Sequence, residues 1–192
     1  MPGNQDTFTQ QDRVRRAGIV CVHFLRNLAY YRAGWSVRIN VDGYAGSKSQ
    51  VLRRNESQFW RTVNSNCLDI CVLEWCKLFA ERNGKHGWEK VVFDPATFKT
   101  RLLAHLGVNE AAFKDYADDF RSYRDKFIAH LDEVHTMNVP FLRVGGRAVA
   151  YLYADLINQP TAGQYFQPGQ PSAGRLYRHF RTEGVSIYSQ ED

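Results

Sequence analysis

Apolar positions along the first 158 residues recur every three to four places, the spacing of buried helix faces. Val14, Ala17, Cys21, Leu25, Leu28, Tyr31 and Trp35 form one such stripe. It predicts a first helix from Thr7 to about Val37, capped by Asp6 or Thr7. After a turn at Val41–Gly46 comes a second stripe of Val51, Phe59, Trp60, Val63, Cys67, Cys71, Trp75 and Leu78. A long helix is expected there, from about Ser49 to Arg82, with a candidate break at Asn64-Ser65-Asn66 and an end at Asn83-Gly84. Lys85 to Phe93 reads as a loop or a short extended connection. Asp94-Pro95 then supplies a cap and a first-position proline for a short helix from Pro95 to Leu106, stopped by Gly107. Asn109 caps the next helix, expected from Glu110 to about Glu133.

A further helical pattern is strongest between Arg147 and Asn158, with Ala148, Val149, Leu152, Tyr153, Leu156 and Ile157 on its packing face and Gly145-Gly146 marking a start or a bend. Composition changes at Gln159. Pro160, Gly163, Pro168, Gly169, Pro171 and Gly174 exclude a long helix there. A short helix from Ser172 to Arg181 is expected, followed by an extended tail through Val185, Ile187 and Tyr188 that wraps a partner or packs loosely as a terminus. The fold class is therefore all-α. Four to five main helices make a bundle over residues 1–158, and an irregular extension, 159–192, packs on the bundle or on a partner.

The helix expected from Glu110 carries the least ordinary residue. With Phe120 as zero and about 100° per residue, Phe113, Tyr116, Phe127, Leu131 and Val134 lie within about 40° of it, and so does Arg124. A fixed positive charge on a packing face needs a partner, a second subunit or a polar cleft, because burying it alone is very costly. His130 lies about 9 Å farther along the axis and about 120° around. The two groups can converge on an extended polyanion or meet their counterparts across a two-fold axis. An imidazole moves protons near neutral pH, and a guanidinium binds and stabilises phosphate. Together they suit phosphodiester cleavage.

Arg124-Asp125-Lys126-Phe127-Ile128-Ala129-His130 resembles the motif of HEPN domains: an arginine, a polar residue after it, and a histidine four to six places on. With Leu131-Asp132 following, it is most similar to the abortive-infection (AbiU2-like) branch. The resemblance implies a dimerising HEPN-type helical bundle that brings both motif copies into one cleft. For active members it implies a metal-independent endoribonuclease of antiviral, abortive-infection or toxin–antitoxin systems. His130 would then be general acid or base for attack by the RNA 2′-hydroxyl, Arg124 would hold the phosphate, and Asp125 would orient either of them. Tyr123 and Lys126 are candidate substrate contacts to base and phosphate. The implied partners are RNA, a second copy of the chain, and an antitoxin or defence-system protein. Neither cofactor nor metal is implied. The other class left open is a non-catalytic HEPN-like module that binds RNA, a nucleotide or a defence-operon partner without turnover.

Composition narrows this only modestly. Over 192 residues the net charge is +5, and all but seven of the 25 basic residues are arginines. Pairings such as Tyr30-Tyr31-Arg32 and Tyr177-Arg178-His179-Phe180-Arg181 suit RNA, and a solvated arginine-rich surface explains the same count. Cys67, Cys71 and Cys76 lie in one helical stretch, with no C-x-x-C pair, and read as small core residues. No apolar run approaches the roughly 20 residues of a membrane span, and the polar start lacks a signal-peptide pattern, so a cytoplasmic protein without membrane contact is expected. P-loop, dinucleotide-binding, nucleophile-elbow and H-E-x-x-H motifs are absent. His23 and His135 are isolated, His105 reads as structural, and His86 and Trp88 form a loop that can touch substrate.

Overall fold

A computed structural model of the chain describes residues 9–41, 57–81, 84–129, 139–159 and 164–189, with side chains through residue 35 in the first of these segments and 128 in the third. Described residues are helical or irregular, with no strand among them. Helix α1 spans Gln10–Val41, α2 Gln58–Trp75, α3 Pro95–Leu106, α4 Glu110–Tyr123, α5 Leu142–Asn158 and α6 Ala173–Tyr188. Two π-helical stretches continue their helices without a break, Cys76–Ala80 after α2 and Arg124–Ala129 after α4. A single 3-10 turn, Trp88–Lys90, punctuates the loop before α3.

Most helix starts follow from side-chain caps. Ser57 Oγ accepts from the Trp60 amide, Asn109 Oδ1 from Ala112 at 2.8 Å, and Ser172 Oγ from Arg175. Asp94 accepts from Ala96 and Thr97, both at 3.1 Å, and these bonds, with that of the Thr97 hydroxyl above all, hold its carboxyl below the usual range. Gly107, at φ 72°, closes α3 in the left-handed conformation. For α1 the expected caps Asp6 and Thr7 lie outside the described residues. Thr9 does that work, its hydroxyl accepting from the Asp12 amide while its own amide donates to the Asp12 carboxylate.

Helix α1 is the spine of the bundle, with α2, α5 and α6 packed around it. Phe24, Leu25, Leu28 and Cys21 of α1 share one core with Leu68, Val72 and Trp75 of α2 and Val149, Leu152 and Leu156 of α5. The Cys71 thiol donates to the Phe24 carbonyl across this seam. All four cysteines are free and buried, and burial pushes the Cys67 thiol up to about 11. They are inert core residues, as their spacing implied.

Three boundaries differ from expectation. No break occurs at Asn64-Ser65-Asn66: α2 runs through it, and the buried Asn64 accepts a hydrogen bond from the Tyr188 hydroxyl. Helix α5 begins at Leu142, so Gly145-Gly146 lies inside it and is not its start, and both glycines make room for neighbours. A Cβ on Gly145 would sit 3.0 Å from the Tyr116 hydroxyl and 3.2 Å from Trp75. That hydroxyl takes the Gly145 amide hydrogen at 2.8 Å and donates its own to the Phe141 carbonyl, stitching the first turn of α5 to α4. Third, the stretch through Val185, Ile187 and Tyr188 is helical, not extended. Gly184 of α6 faces Tyr30 and Ala33 of α1 so closely that a Cβ would lie 3.0 Å from each, and Tyr30 bonds Glu183 at 2.6 Å. Among the described residues of the C-terminal segment, the irregular ones are 164–172 together with Gln159 and Ser189 at the helix ends.

Trp75 stacks on Phe79 and meets Phe113, Tyr116 and Phe120, with the Trp75–Phe120 centroids 4.3 Å apart. This aromatic knot joins α2 and its π-helical end to α4. We predict that Phe120→Ala, at a fully buried position, costs about 3–5 kcal/mol in urea unfolding. Phe93→Ala, at a position 83% exposed, changes stability by about 0.5 kcal/mol or less.

Candidate functional site

The aromatic knot sets the position of Arg124. Phe120 and Tyr123 anchor the last turn of α4 in the core, and Arg124 opens the π-helical stretch directly after them. A π turn bonds i to i+5, is rare in helices generally, and occurs frequently at functional sites. It also changes the phase of every following side chain, so the ideal α-helical wheel holds only up to Arg124. The Cys76–Ala80 π stretch lies alongside α4, bringing Glu81 to Arg124.

The Arg124 side chain is 23% exposed, and its guanidinium lies between two carboxylates. Nε donates to Asp125 Oδ1 at 2.8 Å and Nη1 to Glu81 Oε1 at 3.4 Å. The Asp125 bond is the main reason its pKa is raised above the ordinary arginine value, with burial opposing. Among the described residues Nη2 has no partner. Asp125 and Glu81 are 56% and 40% exposed, so each pair contributes at most about 1 kcal/mol. An incoming phosphate can displace either carboxylate at small cost. Glu81 also lines a groove of about 410 Å³ with Phe79, Gly84, Trp88 and Lys90.

Of the other predicted residues, Lys126 is exposed beside Asp125. Phe127 and Ile128 pack against the core. His130 and His135 lie outside the described residues, as do Leu131, Asp132 and Val134. Tyr123 is a correction. It is 2% exposed and its hydroxyl donates to Asp69 at 2.9 Å, so it offers no free face to a base. Trp88 is also buried, stacked on Phe98, while His86 beside it is half-buried, its pKa lowered mainly by that burial. His105 is exposed but lies against Tyr151, and its carbonyl accepts from Arg147, which supports a structural role. His23 sits 3.7 Å from the buried Glu74. Asp118 pairs with Arg121 on its own helix. Glu81 and Asp69, the two acids that fix Arg124 and Tyr123, carry no local sequence signal. Each acts across more than forty residues of chain.

The AbiU2 model of HEPN domains matches residues 17–144, about two thirds of the chain. The protein belongs to this family, and is an abortive-infection, defence-related HEPN domain. The match contains Arg124, Asp125 and His130 and ends in the first turn of α5; the rest of α5 and all of α6 lie beyond it. No curated protein and no solved structure matches the chain. No described helix is long and apolar enough to cross a membrane.

Burial holds the Asp69 pKa above its ordinary 3.8, and the Tyr123 hydrogen bond pulls it back down. A raised carboxyl pKa means the folded state keeps a proton that the unfolded chain loses, so stability falls as pH rises from 3.8 toward the folded value. Tyr123→Phe removes the lowering bond and enlarges that loss. The predicted result, in urea titrations at several pH values, is a deficit relative to wild type that is larger at neutral pH than near the ordinary carboxyl value.

Proposed function

We propose that the protein is a metal-independent endoribonuclease acting in bacterial defence, of abortive-infection or toxin–antitoxin type. The observation that carries this reading is the state of Arg124. It is a permanently charged group at the surface edge of the core, held by two weak ion pairs, with one nitrogen unclaimed among the described residues. That is a phosphate-ready guanidinium. Arg124 binds the scissile phosphate and stabilises the charge that builds on it. His130, as general acid or base, transfers the proton for attack by the neighbouring 2′-hydroxyl. Asp125 keeps the Arg124 fork oriented through Nε, and exposed Lys126 adds a phosphate contact. Glu81 is the carboxylate that yields when RNA arrives, being the longer of the two pairs.

The active form in this reading is a symmetric homodimer with both motif segments near the axis. Exposed apolar surface ahead of α5, whose Phe141 carbonyl accepts from Tyr116 about two turns before Arg124, supports this. Phe141 is 85% exposed and Val139 39% exposed, at the start of α5. A further partner, an antitoxin or another defence protein, would act by covering that cleft.

One observation favours a second reading. Within a single chain Asp125 and Glu81 already satisfy most of the Arg124 fork, as a structural ion-pair network would. A non-catalytic module that binds RNA, a nucleotide or a protein partner would keep this network intact.

The test is cleavage of single-stranded RNA in EDTA by wild type, Arg124→Ala and His130→Ala. The expected result is cleavage by wild type, lost by at least about a hundredfold in both variants, a scale consistent with general acid–base and electrostatic contributions. Cleavage that survives both substitutions contradicts the assignment. Tight RNA binding by wild type without cleavage selects the module.

A further inference from the structure

Away from Arg124, one face of α1 is left uncovered by the bundle. Arg15, Ile19, Val22 and Arg26 fall within about 60° of one another on a helical wheel, with the two arginines about 16 Å apart along the axis. Ile19 is 53% exposed, an unusual state for the middle of the helix that forms the spine of the core. Opposite this stripe lies the irregular segment before α6, which brings Tyr165 and Phe166 against α1. Phe166 packs onto Gly18 so closely that a Cβ there would lie 2.6 Å from its ring. Between them is an open groove of about 390 Å³, lined by both arginines, Ile19, Val22 and the two aromatic rings.

The chemistry of this groove is cationic at both ends and apolar and aromatic in the middle. Neither Arg15 nor Arg26 makes a hydrogen bond or close ion pair among the described residues, in contrast to Arg124. Glu74, which reaches the groove-lining His23, is buried and already engaged by Lys77 at 3.0 Å, and Asp12, one turn before Arg15, is held by Thr9. A ligand that fits carries negative charge on both sides of a flat apolar unit. Single-stranded nucleic acid has this pattern, with phosphates flanking each base, and such strands are bound by basic grooves with aromatic platforms. An acidic peptide supplies the charge but no flat unit for the Tyr165–Phe166 floor.

We infer that this groove seats one base of a single RNA strand, with neighbouring phosphates on Arg15 and Arg26. It is a strand-holding subsite that shares no residue with the Arg124 set. The inference rests on the reading of the protein as one that acts on RNA.

The experiment is fluorescence anisotropy of a labelled, 2′-O-methylated oligouridylate, which cannot be cleaved, over a range of salt. Compared with wild type, Arg15→Ala/Arg26→Ala should bind at least about tenfold more weakly, and its slope of log affinity against log salt should be shallower by roughly 1.4, the value for two phosphates on a single strand. Arg15→Lys/Arg26→Lys should keep the wild-type slope, which separates lost charge from lost folding. Tyr165→Ala should weaken binding roughly fivefold to a hundredfold with the slope unchanged. Wild-type affinity and slope in the double alanine variant overturn the inference, as does displacement of the RNA by polyglutamate at equal charge concentration. Cleavage assays with the same proteins keep the two readings apart. Cleavage by wild type that the double alanine variant retains, with its RNA binding unchanged, removes only the groove. Arginine-dependent binding without any cleavage removes only the nuclease.

Discussion

The arrangement turns on a charged group that the fold can neither bury nor release. Arg124 follows directly on two core residues, Phe120 and Tyr123, so its backbone is fixed by the aromatic knot around Trp75. A guanidinium so placed needs partners, and the two π-helical stretches supply them. The stretch after α2 delivers Glu81, and the one that begins at Arg124 sets Asp125 beside it. The result is an arginine that is rigid at its base, oriented at its head, and open at one nitrogen. Pre-orientation of this kind lowers the ordering cost of gripping a phosphate.

The rest of the bundle makes that placement durable. Helix α1 holds α2 and α5 in register, and close approaches at Gly145 and Gly184 let α4 and α6 pack tightly against their neighbours. Helix α6, beyond the family match, covers the far half of α1 through Gly184 and the Tyr30–Glu183 bond, and ties to α2 through Tyr188 and Asn64. The first half of α1 remains open, and its Arg15–Arg26 stripe is another place where cationic groups meet solvent, with Asp12 one turn before Arg15. A strand gripped there and at Arg124 would touch the protein at two separate sites, one that holds and one that reacts.

Much of this could be read from the amino-acid order. Asp94 and Asn109 announce their helices by cap chemistry alone, and the stripes of α1, α2 and α5 follow from period. Arg124 stood out because it shared an arc with Phe120 and Phe127. The misreadings have a common physical origin in tertiary contact. The stretch through Val185, Ile187 and Tyr188 reads as an extended tail until Gly184 is seen against Tyr30 and Ala33, and Gly145 reads as a start or bend until Tyr116 is seen against it. Tyr123 looked available because a wheel does not reveal Asp69, which lies in another helix. The π turns leave no mark in residue type, since they arise from how two helix ends settle on each other. Glu81, the residue most relevant to how Arg124 would respond to RNA, was invisible for the same reason.

The central claim is that the Arg124 guanidinium exchanges a carboxylate for an RNA phosphate. Nitrogen-15 NMR of the arginine Nε–H signals tests it most directly, with the Arg124 signal assigned by its loss in Arg124→Lys and a 2′-O-methylated single strand added in steps. The account predicts that the Arg124 signal moves progressively and saturates with the strand. A signal that stays fixed while the strand binds elsewhere on the protein would show that Glu81 and Asp125 never give up their arginine, and would contradict it.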